Sequence, residues 1–298
     1  MTDARPDWLK RQFPFAPHYL DLGGYRMHYV DEGSGPAVVM LHGNPTWSFF
    51  FRRVIASLSD RFRVIVPDHI GCGLSDKPAD YEYTLASRIR DVRRLIDHLK
   101  LDDVSLVVHD WGGAIGFGWA VEQPARVRSL VVMNTAAFLG GRAPWRIRVC
   151  GWPVIGSLAV RGFNAFAVAA TYMACAKRER MTTDVRAGYL WPYDSFARRR
   201  AVYQFVRDIP LAPRVPSYSV VRSIEERLPL LASKPMLIAW GMRDFCFTPW
   251  FLDQWKRRFA QAEVHEFHGA GHYLLEDAHE EVVPLIGGFL DQNKLLKS

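Results

Sequence analysis

Residues 107–113 of the chain read Val-Val-His-Asp-Trp-Gly-Gly. An apolar run that ends in a polar residue and two glycines predicts a nucleophile elbow, the sharp turn between a buried strand and a helix. The residue at the centre of this turn is Asp110. Because a carboxylate nucleophile attacks carbon and leaves an ester on the enzyme, the turn indicates substitution at carbon. The alternative is a strand that ends in a helix-capping Asp.

Short apolar segments alternate with helix-like segments along most of the chain. Six of these segments suit parallel strands buried on both faces: Val38–His42, Val64–Pro67, Ser105–His109, Leu130–Met133, Met236–Trp240 and Val264–Phe267. Tyr83–Leu99 has the periodicity of an amphipathic helix. Tyr19–Leu22 and Met27–Val30 flank two glycines and predict an antiparallel hairpin at a sheet edge. The pattern predicts an α/β fold with a mostly parallel eight-stranded sheet and helices on both faces.

The alternation stops near Phe138 and resumes near Lys234. We therefore expect a core formed by residues 1–137 and 234–298, with a helical cap at 138–233. Ligands of open α/β sheets bind beyond the carboxyl ends of the strands, so an insertion there would cover the site. Within the cap, Trp152–Ala176 contains one charged residue, Arg161. This segment predicts either a slot for alkyl chains or ordinary packing within the cap.

The net charge of +7 is concentrated in the cap. Residues 140–227 hold 15 Lys and Arg against 6 Asp and Glu, so the rest of the chain is slightly acidic. Two interpretations stay open: a solvated basic face, or peripheral contact with an anionic membrane or an acidic partner. Nucleic acid is not expected, because the basic residues interleave with apolar ones and no binding module is recognisable.

The cellular location and the need for cofactors are predicted from segments and motifs that the sequence lacks. Met1–Phe15 has no apolar segment of a signal peptide, and no run of about 18 apolar residues occurs. We therefore expect a cytoplasmic protein, with association at the inner face of the membrane left open. The four cysteines lie far apart, without the spacing of metal ligands. Free thiols, no metal and no cofactor are expected.

A base and an orienting acid follow the nucleophile in the chain. Gly269-Ala270-Gly271-His272 comes after the last predicted strand, and Asp244 comes after Met236–Trp240. The order of nucleophile, acid and histidine is the one that this strand–elbow–helix arrangement uses. We predict that Asp110, Asp244 and His272 form a catalytic triad. The alternatives are a surface histidine and a turn-forming aspartate.

The loop His42-Gly43-Asn44-Pro45 directly follows a predicted strand. Such a loop supplies one backbone N–H to an oxyanion hole, and the residue after the nucleophile, Trp111, supplies another. The side chains of Asn44 and Trp111 add an amide and an indole donor. We expect this pair to bind a weakly hydrated leaving group, such as a halide or a carboxylate. For Trp111, simple core packing is the alternative.

These motifs together resemble the haloalkane dehalogenase branch of the α/β hydrolases over nearly the full chain. The matching segments are His42-Gly43-Asn44-Pro45-Thr46-Trp47, Asp68-His69-Ile70-Gly71-Cys72-Gly73, His109-Asp110-Trp111-Gly112-Gly113 and Gly271-His272. The resemblance implies the α/β-hydrolase fold. One dehalogenase subgroup carries its acid as a Glu where this chain has Asn134. The chain is therefore more similar to the third subgroup, which implies Asp244 as the acid and Asn44 and Trp111 as the anion pair.

Cap segments are similar to those of the β-lactone decarboxylases of bacterial long-chain olefin biosynthesis. These segments are residues 188–196 and 205–210, and residues 244–247 match as well. This resemblance implies conversion of cis-3-alkyl-4-alkyloxetan-2-ones to cis-alkenes and carbon dioxide. It also implies an apolar substrate with alkyl chains, and assembly with other olefin-biosynthesis enzymes.

Three other functions stay open. A hydrolytic haloalkane dehalogenase would use the same residues, with His272 activating water. An epoxide hydrolase would need cap tyrosines aimed at the epoxide oxygen, and the candidates are Tyr172, Tyr189, Tyr193 and Tyr203. Asn44 argues against it, because that family usually has a bulky aromatic residue there. A non-catalytic binding protein commonly loses the nucleophile or the histidine, and this chain keeps both.

Overall fold

The computed structural model describes residues 5–140 and 143–294 and places an eight-stranded sheet at the centre of the protein. Its strands are β1 (His18–Asp21), β2 (Arg26–Glu32), β3 (Ala37–Leu41), β4 (Arg63–Pro67), β5 (Val104–Asp110), β6 (Val127–Thr135), β7 (Met236–Gly241) and β8 (Glu263–Phe267). The spatial order is β1-β2-β4-β3-β5-β6-β7-β8. β2 pairs antiparallel with β1 and β4, and every other pairing is parallel. The predicted fold class is confirmed, with strand ends that differ by a few residues.

Helices connect the strands. They are α1 (Asp7–Gln12), α2 (Arg52–Leu58), α3 (Leu85–His98), α4 (Trp111–Ala120), α5 (Trp145–Cys150), α6 (Pro153–Ser157), α7 (Ala165–Met173), α8 (Thr183–Leu190), α9 (Arg200–Arg207), α10 (Pro216–Arg227), α11 (Pro249–Arg258), α12 (Leu274–Asp277) and α13 (His279–Asn293). A π-helical turn, Leu158–Gly162, follows α6. α3 is the predicted amphipathic helix, and the Thr84 hydroxyl oxygen caps it by accepting the backbone N–H of Ser87.

Both faces of the sheet are covered, which explains the nearly continuous apolar runs of the strands. Val39 and Leu41 of β3 belong to a cluster that α3, α4, α10 and α11 complete. Val38 and Met40 point to the opposite face, into a cluster completed by α1, α2, α12 and α13. The carboxyl ends of the parallel strands therefore meet at one edge between two helical layers.

Residues between β6 and β7 form helices and turns, with no strand among those described (136–140 and 143–235). This segment contacts the loop after β3: the Trp47 indole N–H donates to the Gly188 carbonyl at 3.1 Å, and the Tyr193 hydroxyl donates to the Thr46 carbonyl at 3.3 Å. The division at residues 138 and 234 stays a prediction, and its residues 1–4, 141–142 and 295–298 lie outside the described ranges.

Among the described residues, no single helix is long and apolar enough to cross a membrane. The pair Pro153–Gly162 and Ala165–Met173, bent by 70°, has the required length and composition only when its two parts are taken together.

A buried carboxylate ties the cap to the core. Glu276 of α12 accepts two hydrogen bonds from Arg52, at 2.6 and 2.9 Å, one from Arg53 at 2.7 Å and one from the Tyr189 hydroxyl at 2.6 Å. Burial alone would raise the pKa of Glu276, but the two guanidinium groups and the Tyr189 hydroxyl hold it below its usual value. Because Tyr189 lies in α8, this cluster fixes a cap helix to α2 and α12.

We predict that Glu276→Gln lowers the free energy of unfolding by about 3 kcal/mol near neutral pH, because it leaves buried guanidinium charge uncompensated. A carboxyl with a depressed folded pKa stabilises above its unfolded pKa and loses that effect as the pH falls through the folded pKa. The difference between variant and wild type should therefore shrink in acid. Urea unfolding across this pH range measures both effects.

The matched control is Glu226→Gln, which removes the exposed ion pair with Arg222 and should change stability by less than about 0.5 kcal/mol. Equal unfolding midpoints for the Glu276→Gln variant and the wild type would contradict the structural role of the cluster.

Candidate active site

The turn that carries Asp110 is built by close approach of backbone segments. Asp110 ends β5 with φ 52° and ψ −127°, a conformation that non-glycine residues rarely adopt. A Cβ on Gly112 would lie 1.9 Å from the carbonyl oxygen of Leu41, so only glycine lets α4 begin against the end of β3. The Thr135 hydroxyl donates to the Asp110 carbonyl. The predicted elbow is thus present, with Asp110 at the carboxyl ends of the strands.

A backbone donor holds one oxygen of the Asp110 carboxylate. Oδ1 accepts the N–H of Asn44 at 2.6 Å. A Cβ on Gly43 would lie 1.9 Å from Oδ1, so glycine is required for this approach. Burial raises the pKa of Asp110, whereas His272 and the backbone N–H groups of Asn44 and Trp111 oppose that rise. These contacts leave Oδ2 as the oxygen nearest the histidine.

His272 lies between two carboxylates. Its Nδ1 is 2.7 Å from Asp244 Oδ2, and its Nε2 is 3.6 Å from Asp110 Oδ2. Burial would lower the pKa of His272, but Asp244 and then Asp110 outweigh it and raise the pKa. Asp244 Oδ1 accepts the backbone N–H groups of Cys246 and Phe247 at 2.6 and 3.1 Å. The structure therefore brings the three predicted triad residues together in the order Asp–His–Asp.

Two further residues position the histidine, and the sequence reasoning missed both. His109 Nε2 donates to the His272 carbonyl at 2.8 Å, and its ring stacks on Phe50 with centroids 4.3 Å apart. Burial holds the pKa of His109 well below its usual value, so this ring is neutral. Phe247 lies nearly parallel to the His272 ring, with 5.8 Å between centroids. The sequence signal for a role of His109 was its position next to Asp110. No local pattern in the sequence indicates its contact with His272.

Asn44 and Trp111 lie in the wall of the same cavity as Asp110 and His272. The Asn44 Nδ2 donates to the Val202 carbonyl of α9 at 3.2 Å. An amide nitrogen carries two hydrogens, so one remains for a ligand. The Trp111 ring packs against Phe205, also of α9, with centroids 5.4 Å apart. One cap helix thus supports both predicted anion donors, a contact that the sequence did not indicate.

The cavity has a volume of about 370 Å³. Asp110 and His272 lie in its wall, and most of the remaining wall is apolar. Residues of α5, α7 and 206–211 form part of this apolar wall. For Trp152–Ala176, an alkyl slot and packing within the cap were both open. Residues of α7 and Ala174 line the cavity, and residues 152–164 do not. Their side chains instead include the exposed Val154, Ile155 and Leu158.

Asn134 occupies the place of the alternative acid. It is fully buried and links two strand ends: its Oδ1 accepts the Gly241 N–H at 2.8 Å, and its Nδ2 donates to the Gly241 carbonyl at 3.0 Å. Because both polar atoms of the amide are used in this bridge, Asn134 holds β6 to β7 and leaves His272 to Asp244.

The candidate tyrosines do not face the cavity: none of Tyr172, Tyr189, Tyr193 and Tyr203 contributes to its wall. The Tyr189 hydroxyl bonds to Glu276, and the Tyr203 hydroxyl donates to the Trp152 carbonyl at 3.1 Å. The cap therefore aims none of these hydroxyls at a bound epoxide, which disfavours an epoxide hydrolase.

The cysteines Cys72, Cys150, Cys175 and Cys246 are free thiols. Within the described ranges, no group of three or more His, Cys, Asp or Glu side chains is arranged to hold a metal ion. The expectation that the protein needs no metal or cofactor stays a prediction.

Comparison with known proteins identifies similar chains. A family model described as alpha/beta hydrolase fold matches residues 36–153. The cis-3-alkyl-4-alkyloxetan-2-one decarboxylase of Shewanella oneidensis is 45% identical over 97% of this chain and 92% of its own length. The enzyme of the same name from Xanthomonas campestris pv. campestris is 45% identical over 95% and 98%. Haloalkane dehalogenase 2 of Mycobacterium bovis is 34% identical over 95% and 97%.

Solved structures agree with this fold. An ancestral haloalkane dehalogenase superposes with a TM-score of 0.85 at 25% identity, over 94% of this chain and all of that one. The haloalkane dehalogenase DatA of Agrobacterium tumefaciens gives a TM-score of 0.83 at 26% identity, over 93% and 96%.

We predict that Asp244→Asn lowers the pKa of His272, because the more distant Asp110 carboxylate alone then opposes the effect of burial. NMR titration of labelled histidine, with the resonance assigned through a His272→Gln variant, measures the shift. Asp184→Asn, an exposed change in α8, is the control and should leave the His272 titration where it is in the wild type. A His272 pKa that Asp244→Asn does not move would rule out the pairing.

Proposed function

The chain belongs to the haloalkane dehalogenase-like α/β hydrolases, and we propose that it converts cis-3-alkyl-4-alkyloxetan-2-ones to cis-alkenes and carbon dioxide. Two decarboxylases of such lactones are its 45%-identical relatives over nearly the full chain. The observation that carries the proposal is the Asp110 carboxylate, which lies beside His272 in the wall of a largely apolar cavity. Such a cavity suits a strained ring with two alkyl chains.

The contacts of Asp110 favour attack at the ring carbon that bears oxygen. The backbone N–H of Asn44 is bonded to Asp110 Oδ1 itself. It is therefore not free to stabilise an oxyanion at the lactone carbonyl. In the proposed step, Asp110 Oδ2 bonds to C4 as the C4–O bond breaks, and the ring opens to a carboxylate. The side-chain N–H groups of Asn44 and Trp111 receive that carboxylate.

The second step releases both products. The bond between C3 and the carboxylate breaks, its electron pair forms the alkene, and carbon dioxide leaves. The bond between C4 and Asp110 breaks at the same time and restores the aspartate, so neither water nor a proton is consumed. Backside attack places the new C4–O bond anti to the carboxylate. Inversion followed by anti fragmentation then gives a cis-alkene from a cis-lactone.

His272 has different work in the two candidate reactions. In the proposed reaction its imidazolium, 3.6 Å from Asp110 Oδ2, stabilises the carboxylate that leaves C4. In a haloalkane dehalogenase, a neutral His272 takes a proton from the water that hydrolyses the ester. The two reactions therefore need opposite protonation states of the same imidazole.

We propose further that the protein acts in long-chain olefin biosynthesis in the cytoplasm and assembles with other enzymes of that route. The names of the two 45%-identical relatives support the substrate class. The mass of the complex in which the native protein purifies tests the assembly. A mass equal to that of this chain alone would contradict it.

Isotope labelling should separate fragmentation from hydrolysis. With a cis-dialkyl lactone in H₂¹⁸O, we predict alkene formation without ¹⁸O in Asp110, because water never attacks the ester. A dehalogenase cycle with a 1-bromoalkane places ¹⁸O in that carboxylate. Mass spectrometry of the peptide that contains Asp110 measures the label.

The control for the labelling experiment is Asp110→Asn, which should slow alkene formation by more than about a thousandfold, since it removes the nucleophile. Rapid bromide release by an enzyme that leaves the lactone untouched would overturn the proposed reaction.

The pH dependence gives a second distinction. Because Asp244 and Asp110 raise the pKa of His272, the imidazolium persists above the usual range of histidine and is lost as the pH rises through the raised pKa. We predict that kcat for lactone decarboxylation falls there. A hydrolytic reaction would instead become faster over the same interval. A kcat profile that rises through the His272 pKa would contradict the proposed role.

A further inference from the structure

The outer side of the cap carries unusually exposed apolar side chains. We call the following residues the cap ridge: Trp145, Trp152, Val154, Ile155, Leu158 and Phe163. Each is more than half exposed, and Val154 and Phe163 reach 78% and 74%. They lie on α5, on α6 and the residue before it, and on the π-helical turn and the residue after it. α6 contacts both α5 and the π-helical turn. A contiguous group of exposed large apolar residues marks a surface for binding.

The chain segment that carries the cap ridge has charge of one sign. From Gln123 to Arg178 the sequence contains no Asp or Glu. Arg146 and Arg148 of α5 are exposed beside Trp145, and Arg161 lies within the ridge. This surface therefore combines apolar side chains with positive charge. Its own segment contributes no acidic side chain, which would repel an anionic partner.

The cavity opens beside the cap ridge. Arg146, next to Trp145 in the chain, lines the cavity, and so do Met173 of α7 and Leu211. Met173 is 38% exposed and Leu211 46% exposed, so these cavity-lining residues also reach the surface. An apolar molecule that leaves the ridge can therefore enter the cavity along apolar side chains.

We infer that the cap ridge docks on an anionic lipid bilayer and that the substrate enters the cavity from the lipid. The entry of substrate rests on the proposed function, whereas the docking does not. Tryptophan favours the membrane interface, and arginine places its charge among headgroups while its stem stays in apolar surroundings. Apolar burial and attraction to anionic lipid add together at such a surface.

Charge favours a bilayer over a second copy of this chain. A symmetric dimer through the cap ridge would place two arginine-bearing faces against each other. Because this segment supplies no acidic residue, like charges disfavour that contact. A bilayer with anionic headgroups supplies the opposite charge and an apolar interior at once.

Vesicle flotation tests the docking. The wild type should float with vesicles of equimolar phosphatidylcholine and phosphatidylglycerol, float much less with phosphatidylcholine alone, and detach as salt rises. The double variant Ile155→Glu/Phe163→Glu should bind the anionic vesicles about tenfold more weakly or worse, because it places carboxylates at the interface. Neither residue lines the cavity.

The matched control is Leu230→Glu. Leu230 is 51% exposed and precedes β7, at the opposite edge of the sheet from the cavity. This variant should float like the wild type. All proteins should convert a short-chain, water-soluble lactone equally, whereas the double variant should convert a long-chain lactone held in vesicles about tenfold more slowly or worse.

The outcomes separate the two proposals. A wild type that does not float with anionic vesicles, or a double variant that floats as well as the wild type, overturns the docking. A dimer in solution that the double variant dissociates, without vesicle binding, assigns the cap ridge to self-association and also overturns it. Flotation without turnover of either lactone overturns the proposed function and leaves the docking in place.

Discussion

The hydrogen bond from the Asn44 N–H to Asp110 Oδ1 fixes the geometry on which the rest of the site depends. It joins the loop after β3 to the elbow after β5, and it leaves one carboxylate oxygen for His272 and the substrate. Gly43 makes the approach possible, since a Cβ there would overlap Oδ1. The reactive oxygen is therefore positioned by backbone groups of two adjacent strands, which is the most rigid support that the sheet offers.

Two groups of buried charges in this protein are compensated by their neighbours. Asp110, His272 and Asp244 form one such group, and Glu276 with Arg52 and Arg53 forms another. Burial opposes each isolated charge, so every member depends on its neighbours. In the first group this dependence sets the protonation of the imidazole, which is a catalytic variable. In the second group, this dependence attaches α8 of the cap to the core and so stabilises the fold.

Local patterns predicted that the three triad candidates lie together, because the topology places the strand ends at one edge. Asp110, Asp244 and His272 each follow a predicted strand, and parallel strands put their carboxyl ends at one edge. The support from His109 and from α9 could not be predicted in this way, because those contacts join residues far apart in the chain with no shared periodicity. Residues 152–164 were expected to line a slot or to pack within the cap, and the exposure of several of them has a different reason. A run of apolar residues in short helices normally predicts buried side chains. Here several of these side chains are exposed, so this expectation fails at the surface for which we infer a function.

In the proposed mechanism the ester on Asp110 has two possible fates, and the carboxylate nucleophile alone does not select between them. Hydrolysis requires a water molecule between His272 and the carboxyl carbon of Asp110, whereas fragmentation requires that the substrate carboxylate lie anti to the new bond and that His272 be protonated. Two alkyl chains that fill an apolar cavity exclude water from that position. A small haloalkane would leave space for water in the same cavity and bring no carboxylate to expel. The same residues thus support either reaction, and the substrate that the cap admits determines which one follows.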